Sequence, residues 1–397
     1  MNRADHRIAI IGGGLVGSVC ALQLKQLGFA VTLFERNVPT IIRGPLGLDI
    51  RNVSLSPASQ AQLDEVGVWD QLDPAPYRRM EVWEEWGTSE IVFDATDVGR
   101  QQLGWVVENG PLQSALWQRL GDAGVTTRVG AINHLDFNGP VVNIRVAGGG
   151  DCDDSIEVDF VIGADGANSV VRKAMGVALT EYPIQQAALA TVVRTEQPHE
   201  DTSRQRFLQD GPLALLPAPQ ADMCSVVWSQ SPAQAAHRAA QSERDFCRDL
   251  AHAFEYRLGE IQAVDRRMVF PLTQQCVKSC APHARVLLIG DAMRVIHPLA
   301  GLGVNLGLED VRGLVSVAAT QSDLATDVWG KFARQRQIRS QMMIRAMALL
   351  RSMYANPSPT FGWLRNIGVK YLDRRGWVKQ QIMREALGLG PVARLSA

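Results

Sequence analysis

Three glycines, Gly12, Gly14 and Gly17, stand in the spacing Gly-x-Gly-x-x-Gly directly after an apolar run, Ile8-Ala-Ile-Ile11, and Glu35 follows about twenty residues later. Gly12 allows a tight turn, Gly14 lets the backbone approach a pyrophosphate, and Gly17 lets a helix pack closely on a strand. The pyrophosphate then sits at a helix N-terminus, where free N–H groups and the dipole favour an anion. Glu35, with Arg36 beside it, is placed to accept hydrogen bonds from a ribose 2′-hydroxyl. This pattern does not choose between NAD and FAD.

A later segment makes that choice. Arg285-Val-Leu-Leu-Ile-Gly-Asp291 is a buried strand ending in Gly-Asp, and an aspartate there can bind a ribityl hydroxyl or simply cap a helix. His297-Pro298-Leu-Ala-Gly301-Leu302-Gly303-Val304-Asn305 then opens a long helix. Its backbone N–H groups and positive dipole end suit the negative charge on a reduced flavin, and Asn305 can add a side-chain bond. Between the two lies Asp159-Phe-Val-Ile-Gly-Ala-Asp165-Gly166, with Arg172 seven residues beyond Asp165. One of that pair can meet the dinucleotide while the other meets phosphate or pairs internally. The order and spacing of the three segments point to one FAD.

These residues need a scaffold. The pattern predicts a strand at 7–11, a helix from Leu15 to Leu27 and a strand from Ala30 to Phe34, a βαβ unit. Ser56-Pro57 starts a helix, with Ser as cap and Pro at the first helical position, and Pro111 starts another. Strands are expected at Val141–Val146 and Ile156–Ile162. From about 180 to 272 come short strands broken by Pro and Gly, at Ala187–Val193, Leu213–Leu216, Cys224–Trp228 and Met268–Phe270, with a helix near Ser242 to Tyr256. Helices follow from Gly303 and from Ala325.

The fold class is therefore α/β: a Rossmann-like FAD-binding domain with an inserted mixed β-sheet substrate domain and a helical C-terminal region. The FAD-binding domain is expected at 1–75, 101–177 and 281–345. Substrate-domain strands fall at 76–100, the inserted sheet at 178–280 and the helical region at 346–397.

A chain of 397 residues, 46% hydrophobic and with net charge −1, describes a globular protein and excludes general nucleic-acid binding. Six scattered cysteines without a Cys-x-x-Cys give no metal knuckle, so no metal is expected and the thiols read as reduced. Without a signal peptide or a spanning apolar run, the expected place is the cytoplasm, with any membrane association peripheral, at the inner face. From Lys331 onward only Asp373 and Glu385 are acidic, so a basic tail is available for anionic lipid or an acidic partner, or is a solvated helical face.

The three segments resemble those of the flavin-dependent aromatic hydroxylases, the p-hydroxybenzoate hydroxylase class, and within it the ubiquinone-biosynthesis hydroxylases. The likeness runs through Asp49-Ile-Arg51, Val107-Glu-Asn109 with Leu112-Gln113, Leu299 to Asp310, and Arg365-Asn-Ile-Gly368. Pro76-Tyr-Arg-Arg79, Val92-Phe-Asp-Ala95 and Ala115-Leu-Trp117 narrow it to one branch. The resemblance implies that Arg51 and Gln113 lie along the flavin and that Asp291 binds its ribityl or pyrophosphate region. It also implies that Asp165, with Arg172, serves dinucleotide and reductant, and that Pro298 lies at the reacting edge. Two segments depart from the pattern: Met293-Arg294-Val295 replaces Ala-His-Thr, and Leu302 replaces Gln. Arg294 adds a cation that could hold pyrophosphate, carboxylate or reductant phosphate.

The implied reaction uses NAD(P)H, bound transiently, and O₂. A flavin C4a-hydroperoxide hydroxylates an electron-rich phenol or quinol ring, with an apolar prenylated quinol as the implied substrate. Leu215, Pro217 and Trp228 are candidate pocket walls or plain core. His297 is a candidate proton relay or a structural histidine. Two other readings stay open: hydroxylation of a different aromatic metabolite, and a flavin-binding subunit of a quinone-biosynthesis complex with little catalysis. The basic C-terminal region is where a peripheral membrane or complex contact is expected.

Overall fold

The computed structural model describes residues 2–85, 90–147, 155–297, 301–321, 323–324, 328–355 and 376–390. At its centre is a five-stranded sheet in the order Val286–Leu288, Phe160–Gly163, Arg7–Ile11, Ala30–Glu35, Thr126–Val129. Every neighbouring pair is parallel. Ile11 is in register with Gly163, and Gly163 with Leu288. The Gly12, Asp165 and Asp291 segments therefore leave the sheet side by side at its carboxyl edge, where open α/β sheets bind ligands.

Local chemistry sets the helices. Gly14 is the N-cap of Leu15–Gln26, and Gly28, at φ +91°, turns the chain into the next strand. The Ser56 hydroxyl accepts the Ser59 N–H, and Pro57 opens Pro57–Glu65. The helix expected from Pro111 begins two residues earlier, spanning Asn109–Asp122, because Asp49 accepts the Gly110 N–H at 3.1 Å and so supplies a cap from outside. Leu302–Ala319 packs on the glycine-rich helix, and together with the sheet they bury one continuous apolar core.

The run expected as one strand at Ile156–Ile162 is two. Ser155–Val158 pairs antiparallel with Val142–Ala147, and after a break at Asp159 the chain enters the central sheet as Phe160–Gly163. Asp159 marks the break: its carboxylate accepts the Arg7 N–H at 2.8 Å.

An eight-stranded mixed sheet forms the second layer. Its order is Ile261–Val264, Ala187–Thr195, Met223–Gln230, Gly211–Pro217, Thr202–Leu208, Arg79–Glu84, Glu90–Asp94, with Met268–Pro271 also on Ala187–Thr195. Only the pairing of Thr202–Leu208 with Arg79–Glu84 is parallel. The strand Thr202–Leu208 escaped the sequence reading because Thr-Ser-Arg-Gln-Arg shows no apolar alternation. It is buried all the same, since Arg204 donates to Glu81 at 2.9 Å and Arg206 to Glu255 at 2.8 Å. One face of this sheet is sealed by Glu243–Ala253, whose Phe246 and Leu250 pack on Leu213, Leu215 and Trp228. The other face looks towards the parallel sheet.

Helices Trp329–Ala355 and Gly376–Ala386 complete the C-terminal region. No helix among the described residues is long and apolar enough to cross a membrane.

Candidate active site

Two cavities lie at the carboxyl edge of the parallel sheet, separated by the Gly290–Asp291 turn. The first, of about 420 Å³, is lined by Gly12, Gly14, Glu35, Arg36, Asp165 and Gly166 among others. The glycine loop is fixed from several sides. Glu35 Oε2 accepts the Gly13 N–H at 2.6 Å, and the Trp117 indole donates to Gly13 O at 2.8 Å. A Cβ on Gly12, at φ +107°, would overlap Ala164 O, and one on Gly17 would overlap Gly12 O. A Cβ on Gly14 would meet nothing within 4 Å. Gly12 and Gly17 are thus required by packing, whereas Gly14 keeps an open cradle at a helix N-terminus, the shape a pyrophosphate fits.

Asp165 Oδ2 accepts the N–H groups of Val170 and Val171 at 2.6 and 3.3 Å. Its Oδ1 is buried with no partner among the described residues, and burial pushes the carboxyl above its ordinary range. An unpaired buried oxygen beside the cradle is where a ligand hydroxyl fits. Arg172 pairs internally. Its guanidinium donates to the carbonyl oxygens of Ala292 (3.0 Å) and Ala167 (2.6 Å), tying the Asp165 loop to the Asp291 turn.

The second cavity, of about 440 Å³, lies between the Asp291 and Gly301–Val304 segments and the open face of the eight-stranded sheet. Among the described residues Asp291 is its only acidic or basic lining side chain, and burial raises that carboxyl, with Arg294 opposing and Asp310 adding to the shift. Gly301, at φ +62°, turns the chain into the Leu302–Ala319 helix, and a Cβ on Gly303 would point into open space. Ala214, Leu216, Val227 and Ser229 supply the sheet wall.

That wall corrects the expected one. Side chains alternate along a strand, so Leu215 and Trp228 face away from the cavity, into the core beneath Glu243–Ala253, and are 1% exposed. Pro217 is buried in the same phase as Leu215. The pocket residues are their immediate neighbours.

Arg294 likewise finds its counter-charge inside the protein. It is buried and donates to Asp310 at 2.7 Å. Asn305 is fully used within the protein: Oδ1 accepts from Ser56 N–H and the Ser59 hydroxyl, and Nδ2 donates to Ser54 O and Gly301 O. It locks the helix start to the strand Asn52–Leu55 rather than offering a bond to a ring. His297 is buried, with Nε2 3.2 Å from Gln186 Oε1, and is not among the cavity-lining residues, so the structural reading fits it. Arg51 and Gln113 are brought together: Arg51 O accepts the Asn109 N–H at 2.9 Å, and Gln113 Nε2 donates to Asn109 Oδ1 at 3.2 Å. The half-exposed Arg51 guanidinium pairs with buried Asp49 at 3.2 Å. Pro298, the side chain of Leu302 and the Arg365–Gly368 motif lie outside the described residues.

Sequence reasoning missed two polar residues. The Tyr77 hydroxyl lies 3.1 Å from Ser54 Oγ, and both side chains line the second cavity. Burial raises the Tyr77 phenol, with Ser54 pulling the other way. Only the Pro76-Tyr-Arg-Arg79 motif could have flagged it.

Comparison with known proteins agrees with this geometry. The FAD binding domain family matches residues 5–323. A 3-demethoxyubiquinol 3-hydroxylase of Escherichia coli is 35% identical, over 98% of this chain and 100% of its own, the branch to which the narrower motifs point. The ubiquinone hydroxylase UbiL of Rhodospirillum rubrum is 29% identical over 97% of this chain and 90% of its own. In fold, the chain is similar to p-nitrophenol 4-monooxygenase of Pseudomonas putida: TM-score 0.75, 18% identity, 97% of this chain and 99% of that one.

Proposed function

This chain belongs to the FAD binding domain family, and from that premise we propose that it hydroxylates the ring of a prenylated benzoquinol. It is an FAD-dependent aromatic hydroxylase with NAD(P)H as co-substrate. The quinol is our reading, and a single observation carries it: the second cavity meets the flavin segments on one side and is walled by apolar side chains on the other, with no basic group among its described lining residues. A carboxylate substrate would find no cation there. A neutral ring with a hydrocarbon tail finds apolar surface and a few hydroxyls.

FAD, when bound, supplies the transfer of one oxygen atom from O₂ to the ring, at the expense of NAD(P)H. The protein's part follows from its residues. Gly12, Gly14 and Gly17 would take the pyrophosphate, Glu35 with Arg36 the ribose end, and Asp291 a ribityl hydroxyl. Asp165 Oδ1 offers an acceptor beside them. The N–H groups of Gly303 and Val304, at the positive end of an 18-residue helix, favour negative charge on the reduced ring. By the family resemblance Arg51 and Gln113, drawn together through Asn109, would lie along the flavin, and Pro298 would lie at its reacting edge.

Leu216, Val227 and Pro212 exclude water. The Tyr77–Ser54 pair, its phenol kept protonated by burial, would hold the substrate hydroxyl by hydrogen bonds and so orient the ring.

The basic C-terminal region divides. Arg336 and Arg339 pair inward with Glu309, Asp310 and Glu385, and Lys379 pairs with Asp97. Exposed Ile338, Met342 and Leu349 remain beside Arg334 and Arg345, and we read this stripe as facing a protein of a quinone-biosynthesis assembly.

The test is NAD(P)H oxidation by FAD-loaded protein against short-chain demethoxyubiquinol and simple phenols. Stimulation by the quinol supports the reading. Stimulation by phenols alone moves the assignment to another aromatic metabolite, and bound flavin without stimulation moves it to an assembly subunit.

A further inference from the structure

The mouth of the second cavity carries apolar surface that hydroxylation does not use. Strand Met268–Pro271 leaves Met268, Val269 and Phe270 exposed at 43%, 40% and 39%. Phe270 also lines the cavity, so this surface is continuous with the cavity wall. The turn before the strand holds the loop that follows Glu35. Leu46 N–H donates to Asp265 at 2.8 Å, Arg266 donates to Ile42 O at 3.4 Å, and Gly44 packs so closely on the Asp265 carboxylate that a Cβ would overlap it. That loop carries Val38, Ile41 and Ile42, exposed at 54%, 48% and 47%.

Charge at this rim is of one sign. Arg43 and Arg266 are exposed. The neighbouring carboxylates face inward: Asp265 accepts from Leu46 and Arg266 N–H groups, and Glu108 accepts the Asp49 N–H while also meeting Arg43 at 3.7 Å. Apolar side chains interleaved with arginine fit a lipid headgroup boundary, where the former enter the acyl region and the latter meet phosphate. A second copy fits less well. Six side chains at these exposures offer on the order of 500 Å², below the roughly 800 Å² per partner of a standard interface.

We propose that this rim seats on an anionic bilayer surface, so that an apolar, tailed substrate passes from lipid straight into the cavity. The docking stands on the rim itself; only the identity of the passing substrate rests on the function proposed above.

The test uses the FAD-loaded full chain and two vesicle compositions, phosphatidylcholine alone and phosphatidylcholine with phosphatidylglycerol, read by co-sedimentation without substrate. Binding to the anionic vesicles is expected, with a fall of about tenfold in I42S/M268S and a similar fall in R43E/R266E. Both variants should keep the parent melting temperature and its turnover of a water-soluble quinol, and lose turnover of a long-tailed quinol embedded in vesicles. No parent binding to anionic vesicles overturns the proposal. So does binding that only M342S/L349S abolishes, or a concentration-dependent dimer that I42S/M268S dissolves. Vesicle binding without turnover of any quinol would instead count against the substrate alone.

Discussion

The guanidinium of Arg294 donates to Asp310 at 2.7 Å, and the other bond on that same Asp310 oxygen is the Gly290 N–H at 2.9 Å. The turn that presents Asp291 to the flavin groove is therefore held by a buried ion pair. Arg336 donates to the second Asp310 oxygen at 2.7 Å and reaches Glu309 at 2.9 Å, which links the turn to the long C-terminal helix.

Asp310→Asn leaves Arg294 and Arg336 buried against a neutral partner. Breaking such a pair costs about 3–5 kcal/mol, far more than the pair adds over an apolar substitute. A lower melting temperature and weaker FAD retention are expected, measured by thermal unfolding with and without added FAD.

The same carboxylate sets an acid limit. Burial alone would raise Asp310, but Arg294 and Arg336 hold it below its ordinary value. Its native value is therefore depressed. Its contribution is complete above the unfolded value of about 3.8 and is lost as pH falls through the lower native value. Urea unfolding of the parent from pH 7 down to pH 2 should show the onset of that loss below about pH 4, and D310N should lack this component.

Gly14→Ala separates binding from folding. The backbone there has φ −70°, which alanine adopts freely, and the new methyl enters open space in the cradle. The variant should fold normally and bind FAD at least about tenfold more weakly, about 1.4 kcal/mol. Gly12→Ala, at φ +107° and against Ala164 O, should instead lose folded yield. Flavin fluorescence titration beside thermal melts checks both.

The two faces of one strand predict opposite phenotypes. Leu215→Ala opens a cavity under Glu243–Ala253 and should cost about 2–5 kcal/mol with KM unchanged. Leu216→Ala should leave stability near the parent's and raise KM for an apolar ring. Steady-state kinetics and melting curves on the pair decide it.

Tyr77→Phe removes the phenol beside Ser54 from the cavity. A fall in kcat/KM of about tenfold is expected, the size of one lost hydrogen bond to the substrate hydroxyl, with FAD affinity retained.

The place of the glycines, Glu35, Asp165 and Asp291 at the carboxyl edge of the parallel sheet could be read from sequence, because backbone approach and strand-end position restrict residue type locally. Leu215 and Trp228 could not be placed, since facing depends on register: a run such as Leu213-Ala-Leu-Leu216 is apolar on both faces, and one residue of phase decides between core and cavity. Arg294 misled for a related reason. A lone arginine in a ligand-binding segment suggests an anion, and its real counter-charge, Asp310, lies sixteen residues on, one end of a helix away. Tyr77 and Ser54 meet only because Ala75–Tyr77 and Asn52–Leu55 pair with opposite edges of Gly104–Glu108.

The central claim is oxygen transfer to a quinol ring. FAD-loaded protein should be given NAD(P)H, a short-chain demethoxyubiquinol and isotopically labelled O₂, and the product weighed by mass spectrometry. The account predicts a product carrying one labelled oxygen atom, formed together with NAD(P)H oxidation that the quinol accelerates. Reductant consumed with unaltered quinol and only hydrogen peroxide released would contradict it.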